Sequence, residues 1–293
     1  MTLPSATHAI TQNIPSRRSG LGRLARRHPV VLIGGGLLIG LIIVAVTAPV
    51  FAGDPAAMDP FKRLRPPSAE SWFGSDNLGR DVFARTIFGA RISLLVGLLS
   101  AACAALGGLV IGVLAGYIRA FDNIMMRVMD GLMSIPTILL AIALISLTGP
   151  GLGILVIAIA IPETPAVARL VRSVVLSVRE RPYVEAALCG GARLPKVLWR
   201  HILPSTIPAL MVQSATVCAS AILTEAALSF LGVGVPPEIP SWGNMIANSR
   251  LYLAIAPLTI FAPGIGLAVT VLAVNLLGDG LRDMFDPRSK RRR

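Results

Sequence analysis

The sequence predicts an all-α polytopic membrane protein with six transmembrane helices, and three observations carry that prediction. Only 14% of the 293 residues are charged and mean hydropathy is +0.73, against roughly 25% charged in soluble domains; this excludes an ordinary cytosolic enzyme. Several apolar runs reach the roughly 17 to 25 residues that cross a hydrocarbon core as helix, a form in which the backbone satisfies its own polar groups in lipid. The third observation is the placement of charge. A formal net charge of +12 by itself would suit a nucleic-acid binder. Yet five, two, seven and six of the 27 Lys and Arg fall in the N-terminal segment, two alternate connections and the C-terminal segment, leaving seven for the rest. That is the positive-inside pattern, which puts the N- and C-termini in the cytoplasm and excludes nucleic acid as a partner.

In chain order, residues 1–28 read as a cytoplasmic tail with Arg17, Arg18, Arg23, Arg26 and Arg27 and no acidic residue. Residues 29–52 hold the first transmembrane helix; its apolar run Val30–Phe51 lacks a small-residue cleavage pattern, so a retained span is expected rather than a signal peptide. Residues 53–90 form an external connector whose Asp54, Asp59, Glu70, Asp76 and Asp81 nearly balance the basic residues through Arg91. A five-helix core follows over 91–281. Its second span, Ile92–Ile118, carries Gly97, Gly107, Gly108, Gly112 and Gly116 at small-xxx-small spacings that let helices approach closely.

The third run, Leu132–Leu147, follows Met125, Met126 and Met129 and ends at Gly149, Pro150 and Gly151. The fourth starts at Leu152 and is apolar for ten residues before Pro162, Glu163 and Pro165, so a kinked or short crossing is expected. A basic cytoplasmic loop occupies 169–205, the fifth span Ile207–Phe230, a Pro-rich external loop 232–252, and the sixth span Leu253–Leu277; 282–293 is a basic cytoplasmic tail. Cys103, Cys189 and Cys218 are too scattered for a disulfide framework or a metal site, and His8, His28 and His201 form no ligand cluster.

The stretch Tyr183–Pro204 breaks the apolar pattern. Pro182 suits the first turn of a helix, Val184, Ala187 and Leu188 share one face by spacing, Glu185 sits where the helix dipole favours an acid, and Gly190 and Gly191 supply a stop. A second short helix is expected from Pro195 to His201, stopped by Pro204 and Pro208. The small Ala186 and Ala187 leave room for another protein's groove to close over this surface, with Glu185 offering a charge to an Arg there; a plain connector between spans fits the same spacing.

Glu185-Ala186-Ala187, then Gly191, then His201-Ile202-Leu203-Pro204 resembles the EAA loop of ABC-importer permeases. His201 replaces the Ile of the general pattern, in the manner of the peptide/nickel branch, and Ser205 stands where that branch often has Asn. Trp72–Asp81, Asp130–Pro136, Glu225–Gly232 with Pro240–Gly243, and Asn275–Asp283 with Asp286–Arg288 resemble further segments of that branch. Over about residues 25–288 the chain resembles the C-type permease of a dipeptide/oligopeptide importer.

The resemblance implies a type I ABC importer permease fold in a bacterial inner membrane, paired as a heterodimer with a homologous second permease. It implies two ABC ATPase subunits, which carry ATP and Mg, and an extracytoplasmic substrate-binding protein. Tyr183, Glu185, Ala186, Ala187, Gly191, Arg200, His201, Leu203 and Pro204 would couple to the ATPase. The chain has no Gly-x-x-x-x-Gly-Lys-[Ser/Thr] loop to cradle phosphates, so it is expected to be non-catalytic and to bind no cofactor or metal itself.

Other residues invite two readings each. Trp72, Asp76, Arg80, Pro237 and Trp242 are candidates for docking the binding protein, or caps of the external face. Met133, Ser134, Gln213 and Glu225 are candidates for lining the pathway; for Glu225 an interfacial role is equally in view, since ionisable groups at membrane depth normally face an interior or a cavity. Glu163 would either pack at the proline kink or pair with Arg169. The solute the resemblance implies is a dipeptide or short oligopeptide, with nickel, glutathione or another small solute as the alternative. A single-chain secondary transporter would show inverted repeats with paired mid-membrane charges, and an intramembrane enzyme a nucleophile with its base or a metal motif; neither pattern is found.

Overall fold

Ten α-helices and several short turns, with no strand among the described residues, make up the computed structural model, which describes residues 29–285. The basic segments 1–28 and 286–293, including the Asp286–Arg288 match, lie outside the described residues. Counting a turn-length helix with its π-helical continuation, the elements are α1 (Pro29–Phe51), α2 (Val82–Tyr117), α3 (Arg119–Met133), α4 (Thr137–Thr148), α5 (Leu152–Arg179), α6 (Pro182–Cys189), α7 (Leu194–Val197, widening to a π turn over Leu198–Ile202), α8 (Leu203–Phe230), α9 (Trp242–Ser249) and α10 (Leu258–Phe285). Five helical segments are long and apolar enough to cross a membrane, or six where the bent pair α3 and α4 is counted as one span.

The centre of the bundle is α2 against α5 and α8, and glycine explains how closely they approach. A Cβ added at Gly108, Gly112 or Gly116 would lie 2.5, 2.6 or 2.6 Å from Val167, Ala168 or Val175 on α5, and one at Gly97 would lie 2.5 Å from Ile222 on α8. These small-xxx-small positions therefore bring the helices together by dispersion contact, the main attraction available in lipid. α10 closes the bundle and α1 packs on α10's outer side, with Gly34 against Ala273 and Leu277 and Gly280 against Val31. The outward residues of α1, among them Ile33, Ile39, Ile43 and Val46, are exposed and apolar, as a lipid-facing helix requires.

Five expectations change. α2 begins at Val82 rather than Ile92, because the Asp81 side chain accepts from Phe83 N (2.9 Å) and caps it, and because Arg85 is buried rather than solvated. The connector is correspondingly shorter than 53–90. The third apolar run is not one helix: α3 and α4 meet at 94° around Ser134–Pro136, where Pro136 is extended and has no N–H to continue the ladder.

α5, by contrast, is one unbroken helix of 28 residues, with Pro162 and Pro165 inside it. Its charges do not shorten it because they reach sideways: Arg169 to Asp130 (2.7 Å), Arg172 to Asp122 (2.5 and 2.6 Å) and Arg179 to Gly116 O (2.9 Å). Finally, Pro204 does not stop the helix before it. The π turn shifts the bonding by one residue, with Leu203 N donating to Leu198 O, so the chain runs on as one segment from Leu194 to Phe230. The last span runs to Phe285 and takes Gly278 and Gly280 into its helix, both packed against neighbours rather than in a loop.

Candidate functional site

Between α5 and α8 the chain makes a two-turn helix and a turn that face away from the bundle. Pro182 occupies the first turn of α6, where a missing N–H costs nothing. The stop is a Schellman motif: Ala192 N donates to Ala187 O and Gly191 N to Leu188 O, with Gly191 at φ +79°. Nothing lies within 4 Å of a Cβ built at Gly191, so its backbone conformation, not crowding, demands glycine there.

Apolar anchors fix this loop to the spans. Val184, Val197 and Ile202 are at most 1% exposed and belong to the same core cluster as Val171, Val175 and Val178 of α5. The expected apolar face of α6 divides: Val184 is buried and Ala187 partly so, but Leu188 is exposed. Outward from these anchors stand Tyr183, Glu185 and Ala186, then Leu194, Trp199 and Arg200, with Trp199 at 74% the most exposed large hydrophobic side chain of the loop. The Tyr183 and His201 rings lie 5.9 Å apart and link the two short helices. Leu203 is half-buried and Pro204 exposed at the start of α8. Trp199 was missed in the sequence because a lone Trp among basic residues carries no spacing signal.

At the opposite end, the docking candidates separate into two kinds. Trp72 is 66% exposed, its ring 4.9 Å from that of Phe83, and Pro237 is exposed beside an open cleft of ≈530 Å³ lined also by Ile145, Gly149 and Glu238. Asp76, Arg80 and Trp242 are not available for docking. Asp76 and Arg80 form a buried ion pair at 2.7 Å, with Asp76 also accepting from Leu78 N and Arg80 N. Trp242 is 1% exposed and donates through Nε1 to Thr86 O at 2.9 Å. They hold the connector and α9 onto α2 instead of presenting themselves outward. Nearby, Lys62 bonds Glu70 at 2.9 Å and holds its carboxyl below the usual range, while burial pushes the Asp81 carboxyl up against the pull of its backbone donors.

Of the pathway candidates, Met133 and Ser134 are exposed at the bend between α3 and α4, and Gln213 is half-buried on α8. Glu225 lines no open space: it is fully buried and accepts from Ser93 Oγ (3.1 Å) and Ser229 Oγ (2.8 Å), so it joins α2 to α8. Glu163 meets Ser220 of α8 rather than Arg169, which is taken by Asp130. No group of three or more His, Cys, Asp or Glu able to hold a metal occurs among the described residues.

Residues 108–291 match the family described as binding-protein-dependent transport system inner membrane component. The chain is similar to a probable peptide ABC transporter permease protein of Sinorhizobium fredii, with 83% identity over 92% of this chain and 93% of that protein. It is also similar to a dipeptide transport system permease protein of Alkalihalophilus pseudofirmus, 40% identical over 90% and 88% of the two chains. A glutathione transport system permease protein of Pectobacterium atrosepticum is 40% identical over 92% and 90%.

Proposed function

The chain belongs to the family of binding-protein-dependent transport system inner membrane components, and from that premise we propose that it is the permease subunit of an ATP-driven peptide importer. It is a multi-pass inner-membrane protein. Peptides are the solute class in the printed names of the relatives at 83% and 40% identity, and glutathione in that of another. In this reading the chain pairs with a homologous permease and forms half of the route. Two ATPase subunits hold ATP and Mg, an external binding protein delivers solute, and this chain is non-catalytic and binds no cofactor. The N- and C-termini and the 169–205 loop are cytoplasmic, which the distribution of Lys and Arg supports.

The observation that carries the reading is the construction of α6. A helix rooted by Val184, Val197 and Ile202 in the same core as α5 and α8 transmits displacement to those spans, since packed interiors resist compression. Its outer face of Tyr183, Glu185 and Ala186 is free to enter a partner's groove. An ATPase closing on that face would move α5 and α8 together. Trp72 and Pro237 remain as contacts for the binding protein, and Met133, Ser134 and Gln213 as pathway positions.

The test is uptake by the reconstituted complex with Glu185→Lys or Gly191→Asp. Both variants are expected to insert and assemble, hydrolyse ATP, and lose solute uptake. Wild-type uptake by either would remove the coupling role. Running dipeptides, longer peptides, glutathione and Ni²⁺ in the same assay identifies the solute.

A further inference from the structure

Glu163 lies eleven residues into α5 and sixteen from its end, about 16 and 24 Å along the axis at 1.5 Å per residue, which is near the middle of the span. Among the described residues the central stretches of α1, α2, α4, α8 and α10 hold no Asp, Glu, Lys or Arg, and in α5 the next ionisable group, Arg169, is taken by Asp130. Glu163 Oε1 accepts from Ser220 Oγ at 2.7 Å, and the side chain is only half-buried. On either side of it, Pro162 and Pro165 have no N–H to offer the carbonyls one turn earlier. The site is therefore rich in acceptors and poor in donors.

A half-exposed acid at this depth does not face hydrocarbon, where a carboxylate is costly. Helical spacing shows what it faces instead. Leu170, Val174 and Ser177 follow Glu163 down one side of α5, and Val174, Ser177 and, just past the end of α5, Arg181 line an open cavity of ≈440 Å³ that Ser205 of α8 also lines. On α8, Gln213 and Thr216 lie between Ser205 and Ser220, Thr216 exposed. On α8, Ser205, Gln213, Thr216 and Ser220 thus lead from the cavity toward Glu163, opposite the apolar Leu170 and Val174 of α5, with Arg181 at the cavity's edge.

We infer that Glu163, seated on Ser220, faces the water-filled route between α5 and α8 and receives the ammonium group of a solute in transit, favouring solutes with a cationic end. The inference rests on the permease reading. For a peptide, the group received is the α-ammonium, which donates to the free carboxylate oxygen. Ser220 positions the acid and leaves that oxygen open.

The experiment uses the full importer in proteoliposomes, with the chain's three cysteines replaced and Thr216→Cys added. Soluble methanethiosulfonates of opposite charge are applied in the resting and ATP-bound states. The cationic reagent is expected to react about tenfold faster than the anionic one, the scale of one charge-assisted interaction, and Glu163→Gln is expected to bring the ratio to one. No labelling in either state, or a ratio unchanged in Glu163→Gln, overturns the inference. In parallel, uptake of a free-amine dipeptide at saturating binding protein is expected to fall about tenfold in Glu163→Gln and to be retained in Glu163→Asp. Equal uptake by Glu163→Gln and wild type overturns the inference alone, whereas no uptake by wild type overturns the permease reading.

Discussion

The two ends of this bundle hold their irregular segments by opposite chemistry. At the end bearing the connector and α9, polar residues point inward: Asp76 and Arg80 pair, Arg85 is 1% exposed, Glu225 sits between Ser93 and Ser229, and Trp242 bonds Thr86 O. At the end bearing α6 and α7, Val184, Val197 and Ile202 do the anchoring and the polar and small residues point outward. A buried charge constrains geometry tightly, because moving either partner leaves an uncompensated ion. An apolar anchor holds a segment while leaving its outer face free for another protein. The difference suits one end to being a fixed lid and the other to carrying a force.

The comparison is broken most severely at Asp76. Asp76→Ala leaves Arg80 buried without its partner and is expected to cost about 3 to 5 kcal/mol, seen as a large fall in the midpoint of thermal unfolding in detergent. Glu185→Ala, exposed at the other end, is expected to leave that midpoint where it was. A small shift for Asp76→Ala would mean that the connector is not held by its ion pair.

A smaller effect is expected at Glu225. Glu225→Ala strands the Ser93 and Ser229 hydroxyls in the interior, at about 1 to 3 kcal/mol per unsatisfied group, while Glu225→Gln keeps the shape and one acceptor. Alanine is therefore expected to lower the unfolding midpoint more than glutamine. Equal shifts would show that the side chain's volume, not its hydrogen bonds, matters at this junction.

The same contrast explains what could be read from the sequence. The presence and order of the spans and the Gly108, Gly112 and Gly116 spacing were legible, because apolar runs and helical period are local properties. So were the two-turn helix from Pro182 and its glycine stop. The bend at Ser134–Pro136 was not, since the apolar run Leu132–Leu147 passes across it without a change in composition. Arg85, Asp76 and Trp242 looked like external residues because burial of a charge depends on a partner folded onto it, which one-dimensional composition does not reveal. The fourth span looked short because Pro162, Glu163 and Pro165 end its apolar run, and the partner that takes up Glu163, Ser220, is 57 residues away in the chain.

The smallest effect concerns Asp81, which lies where the connector becomes α2 and belongs partly to each regime. Its side chain caps the helix through Phe83 N, and loss of such a cap costs about 1 kcal/mol. Burial raises its carboxyl above the ordinary value of 3.8, so the folded state binds the proton more tightly than the unfolded chain. Stability from this group is therefore greatest below 3.8 and declines as pH rises through the folded-state value, the reverse of a carboxylate held by a cation. Glu70, lowered by Lys62 from 4.5, has the opposite slope, its contribution being lost as pH falls through its folded value. Asparagine caps as well as aspartate and does not titrate. Asp81→Asn is thus expected to keep the unfolding midpoint at neutral pH and remove this acid-side slope, whereas Asp81→Ala lowers the midpoint at every pH. If Asp81→Asn instead loses as much as alanine, the charge itself is needed at the start of α2, and the inward-facing regime reaches one residue further along the chain.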